Sequence, residues 1–263
     1  MAKDYLWYHL RDLPYFRSLV RAIEARAYDE LDLPAPTLDL GCGDGHFASV
    51  ALSTMTNTGV DPCWKPLKEA ASRGVYSGVV QAAGARLPFP SGWFGSCFSN
   101  SVLEHIPDVE AVLAETRRVL QPGAPFVFCV PSQRFLKNLS VSAGLERLGA
   151  QRCAEAYRRF FNRISRHHHC DPPEVWEARL ERAGFRLERW WHYVSPPAMH
   201  VVEWGHYLGL PALVCRLLTG RWIVAPFRWN LALTEAFVRR YYQEPIPQPQ
   251  GSYTFYVARK AAG

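Results

Sequence analysis

The stretch that decides the fold is Thr37-Leu38-Asp39-Leu40-Gly41-Cys42-Gly43-Asp44-Gly45-His46. Its first four residues read as a short buried strand, and glycines at alternate positions then carry the chain into a helix. Glycine frees the backbone for left-handed conformations and lets N–H groups and the positive end of a helix come close to a ligand. Twenty residues past Gly41, Asp61 ends a second strand in Gly59-Val60-Asp61-Pro62, where a carboxylate can accept both hydroxyls of a ribose. With no ligand, the same residues would make a tight turn with Asp44 capping the helix. Strand, turn, helix and acid at this spacing together favour a nucleotide. A dinucleotide fingerprint would need glycine at position 46, where His46 stands, so nicotinamide and flavin are disfavoured.

Outward from this turn, residues 37–131 alternate β-rich runs with helical patterns in the order TLDL, helix, TNTGV, helix, SGVVQ, loop, GSCFS, helix, PFVFCV. That order predicts a parallel sheet with crossover helices. The clearest helix covers residues 108–120, with Asp108 as its cap, Val109, Val112, Leu113, Thr116 and Leu120 on one face, and Pro122 and Gly123 as its stop. Residues 14–31 repeat Phe16, Leu19, Val20, Ile23 and Ala27 as an amphipathic helix. After Pro131 the alternation lapses, and residues 132–170 read as a helical insertion ending in an arginine- and histidine-rich run. Asp171, Pro172 and Pro173 open a further helix that Gly184 closes, and strands are expected at 185–194 and 253–258. The chain thus divides into an N-terminal helical cover (1–36), a cofactor-binding α/β core (37–131), and a last part (132–263). The last part holds substrate-side helical insertions with the final helix and two strands of the same sheet.

At 263 residues, with 48% apolar and 21% charged side chains, the chain can bury a substantial core, which excludes disorder as its main state. The longest apolar candidate, residues 207–227, is cut by Arg216 and Arg221 and falls short of a membrane span. Seven cysteines without a CxxC pair, and an N-terminus MAKDYLWYHLRD with acids in place of an apolar run, predict a reducing, cytoplasmic setting. The net charge of +6 is unevenly placed. Residues 1–130 carry 11 basic and 14 acidic side chains, whereas 131–263 carry 19 and 10, together with six of the nine tryptophans.

Three more blocks follow LDLGCGDG in order: Leu87-Pro88-Phe89, then Ser99-Asn100-Ser101-Val102-Leu103-Glu104-His105-Ile106-Pro107-Asp108, then Arg118-Val119-Leu120-Gln121-Pro122-Gly123. On these motifs the chain resembles the class I S-adenosylmethionine-dependent methyltransferases, type 11 group, and is similar to the ubiquinone and menaquinone biosynthesis C-methyltransferases. The resemblance covers about residues 38–131, with further likeness over 172–194. It implies a doubly wound, mostly parallel, seven-stranded α/β sheet of Rossmann-like type with a helical lid, and S-adenosyl-L-methionine as cofactor. It further implies that Asp39 and the backbone of Gly41, Cys42, Gly43 and Gly45 face the methionine end, and that Asp61 faces the ribose. The loop before Leu87 would face the adenine. Asn100 is placed on the cofactor side as well. Where the group often has an aspartate for the adenine amino group this chain has Ala83, so adenine recognition falls to the backbone around Ala85 and Arg86 and to apolar contact from Pro62 or Cys63.

Methyl transfer from a sulfonium is an in-line displacement, so the protein has to align a nucleophile and, where that nucleophile carries a proton, accept it. His105 follows the fourth strand at the carboxyl edge of the sheet and either acts as that base or orients its segment. In His167-His168-His169-Cys170-Asp171 one histidine, His169 first, either touches substrate or acts as base, the rest forming a solvated loop. A metal site is not expected: three adjacent histidines cannot all face one ion, no zinc-finger ligand pair accompanies them, and Asp171 reads as a helix cap. Asn100-Ser101-Val102 lacks the prolines of amino-group methylating relatives, which argues against a nucleobase or protein-amine acceptor.

Arginines 152, 158, 159, 163 and 166 repeat along one expected helix, and 216, 221, 228, 239 and 240 are spread through the aromatic final part. Positive charge beside tryptophan suits an anionic membrane surface or a phosphate-bearing, lipid-linked substrate. Nucleic acid is disfavoured, since the basic residues alternate with large apolar ones. The rival is a lid whose tryptophans fill its own core. Two functions follow: a methyltransferase acting on a small or amphipathic metabolite, or a non-catalytic protein of this fold that binds an anionic partner or membrane. The complete set of Asp39, three glycines and Asp61 favours the first.

Overall fold

The computed structural model describes residues 3–52 and 57–261. In chain order the elements are α1 (Tyr5–Leu10), α2 (Tyr15–Tyr28), β1 (Thr37–Leu40), α3 (His46–Ala51), β2 (Asn57–Asp61), α4 (Trp64–Ser72), β3 (Tyr76–Gln81) and β4 (Ser96–Asn100). A 3-10 turn (Leu103–His105) follows, then α5 (Val109–Val119), β5 (Pro125–Pro131), α6 (Ser140–Arg147), α7 (Gln151–Ser165), α8 (Pro173–Arg182) and β6 (Phe185–Tyr193). The remainder is α9 (Pro196–Leu208), α10 (Leu210–Thr219), α11 (Arg228–Tyr242) and β7 (Tyr253–Lys260). The helix expected over 14–31 is α2, shorter at both ends, and α1 ahead of it had no counterpart in the sequence reading.

The chain forms two compact units. One comprises Leu31–Gln133, Arg166–Trp191 and the chain from Tyr253 on, and it holds the sheet. Seven strands run in the order β3-β2-β1-β4-β5-β7-β6. The pairs β2–β3, β1–β2, β1–β4 and β4–β5 are parallel, and β7 lies antiparallel to β5. This is the doubly wound, mostly parallel, seven-stranded sheet expected. All of β1, β4 and β5 is buried, as near-continuous apolar strands covered on both faces have to be. Phe128 stacks on Tyr256 (4.8 Å between centroids) and packs against Trp176 at 5.2 Å, joining β5, β7 and α8 in one core. Helix α5 starts where expected, since the Asp108 carboxylate accepts the Ala111 N–H at 3.2 Å, and it buries Val109, Val112, Leu113 and Thr116.

The other unit is helical and comprises the chain up to Glu30, Arg134–Ser165 and His192–Ser252. The N-terminal helices therefore group with the insertions, although the sequence reading had divided them. Phe16 of α2 packs on the His206 ring of α9 at 4.6 Å, and Gly205 leaves the room Phe16 needs. Arg26 donates to the Tyr242 carbonyl at 2.6 Å, and the Tyr193 hydroxyl donates to buried Glu24 at 2.8 Å. Fully buried Glu203 accepts from Ser140 N–H (2.5 Å), Ser140 Oγ (2.6 Å), Val141 N–H (3.2 Å) and the Tyr157 hydroxyl (2.7 Å). A carboxylate at the start of α6 satisfies two otherwise orphaned N–H groups and suits the positive helix end.

Candidate active site

Gly41, Gly43 and Gly45 all take positive φ, at +81°, +54° and +71°. Packing requires two of them. A Cβ on Gly41 would sit 2.5 Å from Val102 Cγ1, and one on Gly45 would sit 2.8 Å from Tyr76 Cε2. Gly43 differs, because a Cβ there would meet nothing within 4 Å, so this is the open side of the turn. The N–H groups of Gly41 and Cys42 both donate to the Val60 carbonyl, at 2.8 and 2.9 Å, which latches the turn to β2. Asp44 Oδ1 accepts from the N–H of His46, the first residue of α3, at 3.0 Å, while Gly45 and not Asp44 occupies the cap position.

Asp61 ties the two strand ends together. Its Oδ2 accepts the Gly43 N–H at 3.0 Å and its Oδ1 accepts the Cys63 N–H at 2.8 Å, leaving each oxygen a second lone pair for a hydroxyl. The Ala82 N–H donates to the Asp61 carbonyl at 3.2 Å, and the Arg86 N–H donates to the Ala83 carbonyl at 2.9 Å. The turn holding Ala85 and Arg86 is thus anchored beside Asp61 and the exposed Pro62. Two side chains that sequence reasoning missed fix the far end of this loop. Glu115 accepts the Leu87 N–H at 2.8 Å, and Arg118 donates to the carbonyls of Leu87 (2.9 Å) and Phe89 (2.8 Å) and to Glu115 itself at 2.7 Å. Arg118 holds the Glu115 carboxyl below the usual carboxylate range. The signal was present as a Glu–Arg pair three residues apart on α5, and it ties the segments 87–89 and 118–123 of this chain together.

Asp39, near the end of β1, is anchored from below. It is buried and accepts the Tyr76 hydroxyl at 2.6 Å, and Tyr76 lies against Gly45, so the carboxylate sits on the packed side of the turn. Burial and the neighbouring Asp39 push the Tyr76 phenol far up, which keeps it a donor. Burial likewise raises the Cys42 thiol, whose sulfur packs against Gly59. Buried Asn100 is held by β5, with the Cys129 thiol donating to its Oδ1 at 3.0 Å.

Beyond Asn100 the chain turns through Ser101, a non-glycine residue at φ +53°, and presents His105. His105 Nδ1 lies 3.0 Å from the Arg166 carbonyl and its Nε2 lies 3.8 Å from Glu104 Oε1. A carbonyl only accepts, so Nδ1 carries the proton and Nε2 is the basic nitrogen. The histidine run docks on this turn: the N–H groups of His168 and His169 donate to the Glu104 carbonyl, at 2.7 and 3.3 Å, and the rings of His105 and His167 lie 5.2 Å apart. The run is thus docked through its backbone while the His168 side chain stays exposed. His169, expected as a second base, has both ring nitrogens engaged, Nε2 with the Ile106 carbonyl at 3.0 Å and Nδ1 with Asp171 Oδ2 at 3.4 Å, so it fastens the loop. Asp171 is not the cap of α8. Pro172 occupies that position, and Asp171 instead accepts from Arg179 at 2.6 Å. Among the described residues, Glu104, His105 and His167 bring one potential metal-ligand atom each within 4.8 Å of one another, which the sequence reading had not foreseen.

Residues 38–128 match the family model Methyltransf_11, a methyltransferase domain. An uncharacterized protein of Mycobacterium tuberculosis is 34% identical over 123 residues, 47% of this chain and 40% of that one. The ubiquinone biosynthesis O-methyltransferase of Chromobacterium violaceum is 32% identical over 118 residues, 41% of this chain and 50% of that one. The chain thus spans at most about half the length of the curated relatives it matches. In fold, an S-adenosylmethionine dependent methyltransferase from Mesorhizobium loti superposes with a TM-score of 0.55 at 17% identity, over 92% of this chain and 99% of that one. The [4+2]-cyclase SpnF does so at 0.55 and 18%, over 94% and 82%. Residues 38–128 of the chain are thus a methyltransferase domain of the type 11 kind, set in a sheet that the chain shares in fold with S-adenosylmethionine-dependent methyltransferases.

Proposed function

We propose that the protein transfers a methyl group from S-adenosylmethionine to a small or amphipathic metabolite. The observation that carries this reading is the Asp61 carboxylate, held by the N–H groups of Gly43 and Cys63 at the carboxyl end of β2, next to the open side of Gly43. These residues fit the cofactor, because a ribose diol needs paired acceptors and the adjoining turn must come close without side chains. Asp61 would take the ribose hydroxyls, the Gly41–Gly45 backbone the methionine end, and the turn at Ala85 and Arg86 the base. When bound, the cofactor supplies an electrophilic methyl group on a positively charged sulfur. His105, with Nε2 basic and its ring oriented by the Arg166 carbonyl, would accept the proton that an acceptor hydroxyl loses.

Calorimetry with S-adenosylmethionine and S-adenosylhomocysteine tests the cofactor half. A ligand at one hundred times its dissociation constant stabilises the fold by about 2.7 kcal/mol, which is visible as a melting shift. Transfer of a methyl label to a panel of hydroxylated amphiphiles tests the catalytic half. No heat and no shift at millimolar cofactor would refute the proposal, and tight binding without label transfer to any acceptor would favour the non-catalytic alternative.

A further inference from the structure

Helix α10 carries Leu210, Leu213, Val214, Leu217 and Leu218, the spacing of a single apolar stripe. In a globular protein such a stripe faces the core, yet no residue of α10 is buried, and Leu217 and Leu218 are 77% and 80% exposed. Helix α11 repeats the pattern. It buries Leu231, Val238 and Tyr242 on one side while Trp229 (77%), Leu233 (88%) and Phe237 stay exposed on the other. Exposed leucines at this density need an occupant.

The charges identify it. Between Glu203 and Glu235 there is no acidic residue, whereas Arg216, Arg221 and Arg228 fall within that stretch. Glu203 is fully buried, and Glu235 is paired with Arg239 and lies 3.8 Å from Arg228. A second copy of the chain is a poor occupant, since a two-fold interface would set arginine against arginine with no acid between them. Among the described residues no helix is long and apolar enough to cross a membrane. At about 1.5 Å per residue α10 is roughly 15 Å long, half of a hydrocarbon core. A short helix with a solvent-facing leucine stripe, flanking arginines and an exposed indole suits one environment, the interface of an anionic bilayer, lying in its plane.

We infer that α10 and the exposed side of α11 form a docking surface for an anionic lipid monolayer, with Leu217, Leu218 and Trp229 entering the acyl boundary and Arg216, Arg221 and Arg228 meeting headgroup phosphates. This stands apart from the methyl-transfer reading, and neither outcome decides the other.

The test is flotation of the full chain with phosphatidylcholine vesicles, pure or containing phosphatidylglycerol, at low and high salt. The chain should float with the acidic vesicles, bind neutral ones poorly, and lose much of the acidic-vesicle binding at high salt, where headgroup attraction is screened. Arg216→Gln with Arg221→Gln should weaken binding to acidic vesicles roughly 25-fold, about fivefold per arginine at ~1 kcal/mol each. Leu217→Ser with Leu218→Ser should weaken it more than tenfold on both vesicle types while S-adenosylhomocysteine affinity stays unchanged. For wild type, brominated acyl chains should quench tryptophan emission, a readout that needs no variant to fold. Failure to float with acidic vesicles at low salt, absence of quenching, or a leucine pair whose replacement only dissolves a dimer would each overturn the inference.

Discussion

Replacing Asp61 by alanine should damage two things at once, and the structure separates them. Without cofactor, the variant loses the bonds from the N–H groups of Gly43 (3.0 Å) and Cys63 (2.8 Å). Hydrogen bonds to an ionised group contribute about 1.5–3 kcal/mol each, but water can replace the one at exposed Cys63, so roughly 2 kcal/mol is expected in all. For a chain of this size that corresponds to a melting decrease of about 4–8 °C. With cofactor, the ribose also loses its acceptor, and a further 1.5–3 kcal/mol should weaken binding roughly 10- to 150-fold. Asp61→Asn discriminates further. Its amide keeps one acceptor oxygen but turns an NH2 group toward a backbone N–H, so its melting decrease should approach that of alanine although its volume is unchanged. Calorimetry with S-adenosylhomocysteine and thermal denaturation of both variants measure the two effects. A folded Asp61→Ala protein with unchanged cofactor affinity would show that the nucleotide lies elsewhere.

Gly43→Ala should cost only about 1 kcal/mol of stability, the penalty of a left-handed alanine, yet weaken cofactor binding more than tenfold because its methyl group enters the open side. Gly41→Ala should show the reverse weighting, since its Cβ meets Val102 and overpacking costs about 1–3 kcal/mol before any ligand is present. Glu115→Gln should destabilise the fold by about 1–2 kcal/mol at neutral pH, measured by urea denaturation. The folded pKa of Glu115 is depressed by Arg118, so its contribution is present above the ordinary glutamate value near 4.3 and is lost as pH falls through the lower folded value. Wild type and variant should therefore converge as pH falls, and a gap that stays constant from neutral pH into strong acid would contradict this account. Glu203→Gln should cost about 3 kcal/mol, because an amide oxygen cannot serve the donors of Ser140, Val141 and Tyr157 together.

What was legible in the sequence is what short-range pattern encodes. The alternation of strands and helices over residues 37–131, the Asp108 cap and the place of Asp61 at the end of the second strand all follow from periodicity, turn chemistry and spacing. What was not legible depends on partners far apart in the chain. Asp39 accepts the hydroxyl of Tyr76, 37 residues on, a partner that no local spacing announces. His169 is bonded to the Ile106 carbonyl, 63 residues away, a contact equally invisible to local pattern. The stripe of α10 shows a third limit: periodicity reveals an apolar face but not whether a core or a solvent lies against it.

The segment from Asn100 to His105 links the two halves of the proposed site. Val102 fills the space that glycine at position 41 leaves, so the cofactor turn and this segment fit only together. Immediately beside it, Ser101 holds a left-handed conformation, and Arg166, whose carbonyl orients His105, holds another at φ +58°. Backbone conformations of this kind cost about 1–3 kcal/mol and persist only where surrounding contacts impose them. Those contacts are identifiable: the Cys129 carbonyl accepts the Ser101 N–H at 3.1 Å, and the Glu104 carbonyl accepts the His168 N–H at 2.7 Å. The basic nitrogen of His105 is thus fixed with respect to β5 through Ser101 and with respect to the glycine turn through Val102. Were His105 the base, as proposed, it would be positioned by the same residues that shape the cofactor turn, which is the preorganisation an in-line displacement requires.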